Sequence, residues 1–287
     1  MSRRPTIFGP RVARRFGRGW LSAGFAFLYL PIVALVLYSF NRSALSGNWG
    51  GLSLDWYRRL LVDEEIKAGL GLSLKVAFLS ATCSVALGTL AAVALTRYVR
   101  FPGRTFFTGM LNAPLVMPEV ILGLSLLLLT VASQRLLGHP ERGVATLWLG
   151  HLTMGLAYAA VVVQARLQEL DPKLEEAAMD LGARPLQVFL LVTLPLVAQS
   201  MASAWLLTFS LSLDDVVVTA FLNGPGATPL PIVIFSRARL GLDPSVNAVA
   251  TLIIFAVAVA VALASIWVAR SERRRAAEIS AAQRDDG

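Results

Sequence analysis

Charge is scarce in this sequence. Of its 287 residues 15% are Asp, Glu, Lys or Arg, against about 25% in soluble domains. With 56% hydrophobic residues, the chain falls outside the soluble globular class. Cysteine is almost absent: Cys83, the single one, can form no intrachain disulfide. It sits in an apolar run and reads as a small packing residue. Histidine occurs twice, at His139 and His151, with no partner spacing that points to a metal. No Gly-x-x-x-x-Gly-Lys-Ser/Thr phosphate loop is present. Any ATPase must therefore be a separate chain. No Ser/His/Asp constellation stands out either, so the chain is not read as an enzyme and no cofactor is implied.

What the sequence does have is long apolar runs. About 20 apolar residues cross a bilayer core as a helix, and six runs qualify: 20–40, 69–96, 106–133, 144–164, 195–213 and 247–269. The expectation is an all-α membrane protein with six transmembrane helices. The second and third runs have 28 residues each, more than a core of about 30 Å requires, so they should tilt or project beyond it. The first run is longer than the 7–15 residues of a secretory signal core and reads as an uncleaved signal anchor.

Orientation follows from Arg and Lys. With six spans both termini share a side, together with 97–105 and 165–194. Those segments carry 17 of the 26 positive side chains, against 8 on the opposite side over nearly the same length. The excess puts both termini in the cytoplasm. Residues 1–19 form a basic cytoplasmic N-terminal tail and 271–287 a basic C-terminal one. Between them lie a first helix with its outer loop (20–68) and a five-helix core (69–270). The basic tail Arg270, Arg273, Arg274, Arg275 is read first as an anchor against anionic lipid, with partner binding as the alternative. The outer segment 214–246 holds two apolar stretches too short to cross, separated by the turn signal Asn223-Gly224-Pro225-Gly226. It is expected to be partly re-entrant or interfacial. Irregular backbone at membrane depth needs protein or a water-filled cavity around it.

The cytoplasmic loop 171–195 is the most informative stretch. Asp171-Pro172 is a helix start, a capping acid followed by Pro at the first position. Leu174, Ala177, Ala178 and Leu181 recur at helical spacing and form one apolar face. Gly182 stops the helix. A short amphipathic helix outside the membrane either docks in a groove of another protein or packs on its own membrane domain. The pattern alone leaves both open.

Glu176-Ala177-Ala178, then Gly182, then Val192-x-Leu194-Pro195 resembles the EAA loop of binding-protein-dependent ABC importer permeases, with Val192 where the family usually has Ile. The resemblance covers roughly residues 69–270. It implies the type I ABC importer (MetI-like) permease fold and a bacterial inner-membrane location. It assigns Glu176, Ala177, Ala178, Gly182, Leu194 and Pro195 to ATPase coupling. It also implies as partners two copies of an ATP-binding subunit, a homologous partner permease and a substrate-binding protein outside the membrane. Ser212-Leu213-Asp214-Asp215, Gly224-Pro225-Gly226-Ala227-Thr228-Pro229 and Met117-Pro118-Glu119-Val120-Ile121 are similar to polyamine permeases, most of all the second subunit of putrescine systems. Relatives there tend to have Asp at the position of Glu119.

Three acids lie at membrane depth: Glu119 in the third span, Asp214 and Asp215 at the end of the fifth. A carboxylate at the bilayer centre costs about 2.5–3.5 kcal/mol on insertion scales and normally faces a cavity, a cation or a pathway. A polyamine needs carboxylates for its ammonium ends and aromatic or apolar walls for its methylenes. Trp205 and Phe209, one turn apart, are the candidate walls. Structural readings stand beside these. Asp214 would cap the next helix, Asp215 would pair with Arg237 or Arg239, Glu119 would serve a helix break after Pro118, and the two aromatics would pack or face lipid. The expected function is the permease subunit of an ATP-driven polyamine importer, for putrescine first. Spermidine or another small cation is the same-class alternative, and an ion-gradient-driven secondary transporter the alternative from a different class.

Overall fold

The computed structural model describes residues 10–43, 48–98, 100–139, 141–240 and 244–259, with 262, 266 and 270 beyond them. The C-terminal tail expected at 271–287 lies outside the described residues. Those described are helical, apart from loops and two isolated bridges, Asn41↔Leu52 and Gly224↔Ala227. They fall into two compact units, one drawn from Met1–Asp63 and Arg237–Gly287, the other from Glu64–Ser236.

In the first unit α1 (Pro10–Ser39) begins well before the expected span, so residues 10–19 of the basic tail are helical. The most apolar 18-residue window of its stretch Gly17–Ser39 buries nothing among the described residues, so lipid or another protein covers it in a bilayer. After α1 the chain turns on Asn41. Its side chain donates to Asn48 O and accepts from Gly50 N, while its carbonyl accepts from Trp56 Nε1 of α2 (Asp55–Leu60). Each polar group of this buried Asn has a partner, as a water-poor site demands. Arg237 grips Asp63 with two bonds, Nη1 at 2.7 Å and Nη2 at 3.1 Å. The helix Pro244–Val259 (α12) also belongs to this unit.

The second unit is built on α3 (Glu64–Arg97), α6 (Val144–Glu169) and α9 (Leu194–Asp214), which pack on one another. The sequence allows this because α3 buries a stripe of small residues, Ser73, Ala77, Ser80, Ala81, Ser84, Gly88 and Ala92, at helical spacing. Without a hydrophobic drive between helices in lipid, close backbone approach is the main attraction. Gly88 marks the tightest crossing. A Cβ there would stand 2.8 Å from Ala159 Cβ and 2.9 Å from Ala160 N. Gly123, Gly150 and Gly155, read from sequence as packing positions, face Phe221, Leu222 and Ser84. At 34 residues, α3 is about 51 Å long and outruns the bilayer core, as the long run implied.

One expectation is revised. The third run is not one helix. It breaks at Met117-Pro118, both extended, into α4 (Arg104–Val116), which packs on α6, and α5 (Glu119–Leu137), which packs on α10 (Val217–Leu222). Pro118 supplies no amide and disfavours helix at the residue before it. The segment 214–246 is helical in both apolar stretches, α10 and α11 (Leu230–Leu240). Five helices of the described residues are long and apolar enough to cross a membrane: α1, α3, α5, α6 and the Pro185–Asp214 stretch ending in α9. The sixth expected span, 247–269, is described only through α12, which is shorter.

Candidate functional site

The loop between α6 and α9 contains α7 (Lys173–Asp180), α8 (Pro185–Val188) and a π-helical turn Phe189–Thr193. Asp171 Oδ1 accepts from Lys173 N at 3.0 Å, the cap its sequence promised. At the other end Gly182 takes φ +89°, a left-handed conformation that glycine adopts without cost. Ala183 N then reaches back to Ala178 O at 3.1 Å, closing the helix in a Schellman-type stop. The apolar face of α7 is not used inside the chain: no residue of the helix is buried, and Leu181 is 90% exposed. Glu176 and Ala177 are exposed and Ala178 half-buried. Among the described residues most of this apolar face is left uncovered.

What holds the loop is Glu175, a residue outside the apolar stripe and the coupling motif. Glu175 Oε1 accepts from Arg97 Nε at 3.1 Å, Arg97 Nη2 at 2.8 Å and Thr193 Oγ1 at 2.8 Å. One carboxylate oxygen thus ties α7 to the end of α3 and to the π turn. The only sequence signal was an acid on the helix flank and an Arg at the last position of a span, 78 residues apart. Leu194 and Pro195 open α9. Pro195 has no N–H, so the ladder before it is re-formed by the π turn, in which Leu194 N bonds Phe189 O.

The acids at depth have different environments. Asp215 follows α9 in extended conformation, and its side chain is 7% exposed. Its oxygens accept from Val218 N at 3.2 Å, Thr219 N at 2.7 Å and Thr219 Oγ1 at 2.8 Å. His151 of α6, 4% exposed, stands with Nε2 3.3 Å from Asp215 Oδ2. The cap of α10 is therefore Asp215 rather than Asp214. His151 is the ring beside it, and Arg237 is held by Asp63. The far end of α10 is closed by Thr146 Oγ1, which donates to Leu222 O at 2.9 Å. A six-residue helix has few internal bonds, so partners elsewhere in the protein satisfy its ends.

The network extends further. His151 Nδ1 bonds Ser212 Oγ, and Nε2 also bonds Thr219 Oγ1 at 3.0 Å. Ser80 of α3 lies 3.4 Å from Ser212 Oγ. A cavity of about 20 Å³ bordered by His151, Gly155, Thr208, Ser212 and Asp215 is the size of one water. In the sequence His151 has no nearby partner. Its partners are 61 and 68 residues away, and the available signal was an ionisable side chain inside a span. His151 lies 7 residues into α6, about 10 Å from that helix's first turn.

Asp214, the last residue of α9, is exposed, and so is Glu119, the first of α5. Neither side chain bonds another of the described residues. Glu119 begins a helix at the Pro118 break, where the helix dipole favours its charge. Trp205 and Phe209 stack at 4.9 Å with their planes 11° apart, and Phe78 of α3 meets Trp205 edge-on at 5.7 Å. Trp205 Nε1 donates to Thr82 Oγ1 at 3.1 Å. Both aromatics are half-buried. They form a wall of the α3–α9 face that presents ring surface while the indole N–H is satisfied.

Comparison with known proteins agrees with this architecture. The chain is 51% identical over 265 residues to the putrescine transport system permease protein PotI of Escherichia coli K12, covering 92% of this chain and 94% of that one. It is 37% identical over 263 residues to the spermidine/putrescine transport system permease protein PotC of the same organism, covering 92% and 97%. Among solved structures, a chain of a bacterial ABC transporter involved in the import of the acidic polysaccharide alginate superposes with TM-score 0.67 at 16% identity, covering 88% of this chain and 96% of that one. A chain of the MetNI methionine ABC transporter superposes with TM-score 0.55 at 18% identity, covering 75% and 97%. Residues 84–277 match the family of inner membrane components of binding-protein-dependent transport systems, and with that match, the shared fold and the two relatives, the chain is a multi-pass inner-membrane permease that belongs to this family.

Proposed function

We propose that this permease forms half of the translocation pathway of an ATP-driven importer for a polyamine, putrescine first. A homologous permease completes the pathway, two copies of a separate ATPase drive it, and a binding protein outside the membrane delivers the substrate. The observation that carries the cargo reading is the 51% identity to a putrescine permease over 92% of the chain. Fold alone does not choose a cargo, since an alginate transporter has the same one. Lining charge does, and here two carboxylates with no side-chain partner among the described residues, Asp214 and Glu119, stand at helix breaks. They receive the ammonium groups, and Trp205 and Phe209 receive the methylenes. Asp215 shapes the site from behind.

Six spans with both termini in the cytoplasm fit the distribution of Arg and Lys, α12 being the start of the sixth. The α7–α8 loop is then cytoplasmic, and its unused apolar face fits an ATPase groove through Ala177, Ala178 and Gly182. The inside-negative potential adds about 2.3 kcal/mol per charge per 100 mV to inward movement of a cation. ATP supplies gating and direction.

The test is uptake of labelled putrescine by the four-component complex in proteoliposomes. ATP-dependent uptake is expected. Asp214→Asn and Glu119→Gln should each raise the half-saturating concentration about tenfold, the worth of one charge-assisted contact, with the complex still assembled. Uptake that follows an ion gradient without ATP would establish a secondary transporter instead. Half-saturation unmoved in the double variant would remove both acids from the pathway.

A further inference from the structure

Resting on the reading of Asp214 as a cargo-facing carboxylate, we propose that His151 is a positioning residue for transport. Its Nε2–H donates to Thr219 Oγ1, which donates in turn to Asp215; through that relay it holds Asp215 inward and thereby keeps Asp214 turned out.

Asp214 and Asp215 are consecutive, yet the first is exposed and the second buried. Adjacent side chains leave the backbone in different directions, so fixing one fixes the other. Asp215 is fixed from two elements. Thr219 and the amide of Val218, both of α10, hold it along the chain. From α6, His151 Nε2 stands 3.3 Å from Asp215 Oδ2 and reaches it through Thr219 Oγ1. The hydrogen bonds also set the tautomer. Thr219 Oγ1 donates to Asp215 Oδ2, so it accepts from His151 Nε2–H. Nδ1 then accepts from Ser212 Oγ–H. Every polar atom of the imidazole has one partner in a consistent direction.

A structural cap would not need this residue. α10 is already capped by Asp215, and an aliphatic side chain costs less than an imidazole inside a span. What His151 adds is a lateral restraint. It ties α6, which leads into the α7 loop, to Ser212 and Asp215 at the end of α9, which leads out of it. The geometry of the Asp214-Asp215 pair is therefore fixed relative to the helix pair that flanks the loop.

The experiment compares His151→Gln, His151→Asn and His151→Leu in the full complex. Gln places an amide N–H near the position of Nε2, whereas Asn reaches only toward that of Nδ1. Yield of co-purified ATPase reports assembly, and ATP-driven uptake reports maximal rate and half-saturation. Gln should stay near wild type. Asn and Leu should raise the half-saturating polyamine concentration about tenfold, more than they lower the maximal rate. Adding Asp214→Asn to His151→Asn should then change half-saturation little further. Gln and Asn behaving alike, or Leu with wild-type half-saturation, would overturn the assignment. So would loss of assembly in Asn and Leu together, which makes His151 a folding residue. A wild-type complex that imports no polyamine sinks the functional reading itself. One that imports while ignoring His151 sinks only this inference.

Discussion

Arg97→Ala tests the anchor of the loop. Glu175 receives two bonds from this guanidinium, at 3.1 and 2.8 Å, and one from Thr193 at 2.8 Å. Breaking a fully buried pair costs about 3–5 kcal/mol. Here the side chains are 19% and 17% exposed, so water relieves part of the loss, and about 2 kcal/mol is the expected cost. That is roughly a thirtyfold rise in the open population of the loop. Amide hydrogen exchange in lipid nanodiscs reads it directly. Protection of residues 173–193 should fall about thirtyfold, while α6 keeps its own. In the full complex, substrate moved per ATP should fall while ATP hydrolysis continues. Glu175→Gln should do the same more weakly, and the double variant should do little more than Arg97→Ala, because both remove one interaction. Unchanged exchange in α7, or two effects that simply add, would refute the anchor.

Gly88→Val should lower the thermal stability of the purified permease, because the new side chain meets Ala159 and the backbone of Ala160. Overpacking of this kind costs about 1–3 kcal/mol, and a melting curve in detergent unchanged from wild type would contradict the crossing described. Gly182→Val should cost about 1–2 kcal/mol at its φ of +89°, visible as reduced co-purification of the ATPase with membrane insertion intact.

Much of this fold was readable because a bilayer forces long apolar runs and because charge is confined between them. The loop was readable because its cap, its stripe and its glycine are all local. The break at Met117-Pro118 was half-legible: proline in a span announces a weakness, but the surrounding residues remain apolar. The network around His151 was not, since its members come from four helices and no local pattern links Ser80, His151, Ser212 and Thr219. The same limit hid Arg97. Asp215 stands out for its charge and its place, but adjacent acids look equivalent in a sequence. Only burial, which depends on how α6 lies against α9 and α10, separates the one that is held from the one that is free.

The π turn at Phe189–Thr193 has a geometric consequence. It amounts to one surplus residue in an otherwise continuous helix, and one residue is about 100° of rotation. The angular phase of α7 and α8 about the α9 axis is thus set by a count rather than by a side chain. Between Gly182 and Pro195 the spacing itself acts as a keyway. Substitutions there adjust how tightly the loop sits, whereas a single deletion would straighten the helix and turn the Leu174–Leu181 stripe away from whatever it meets.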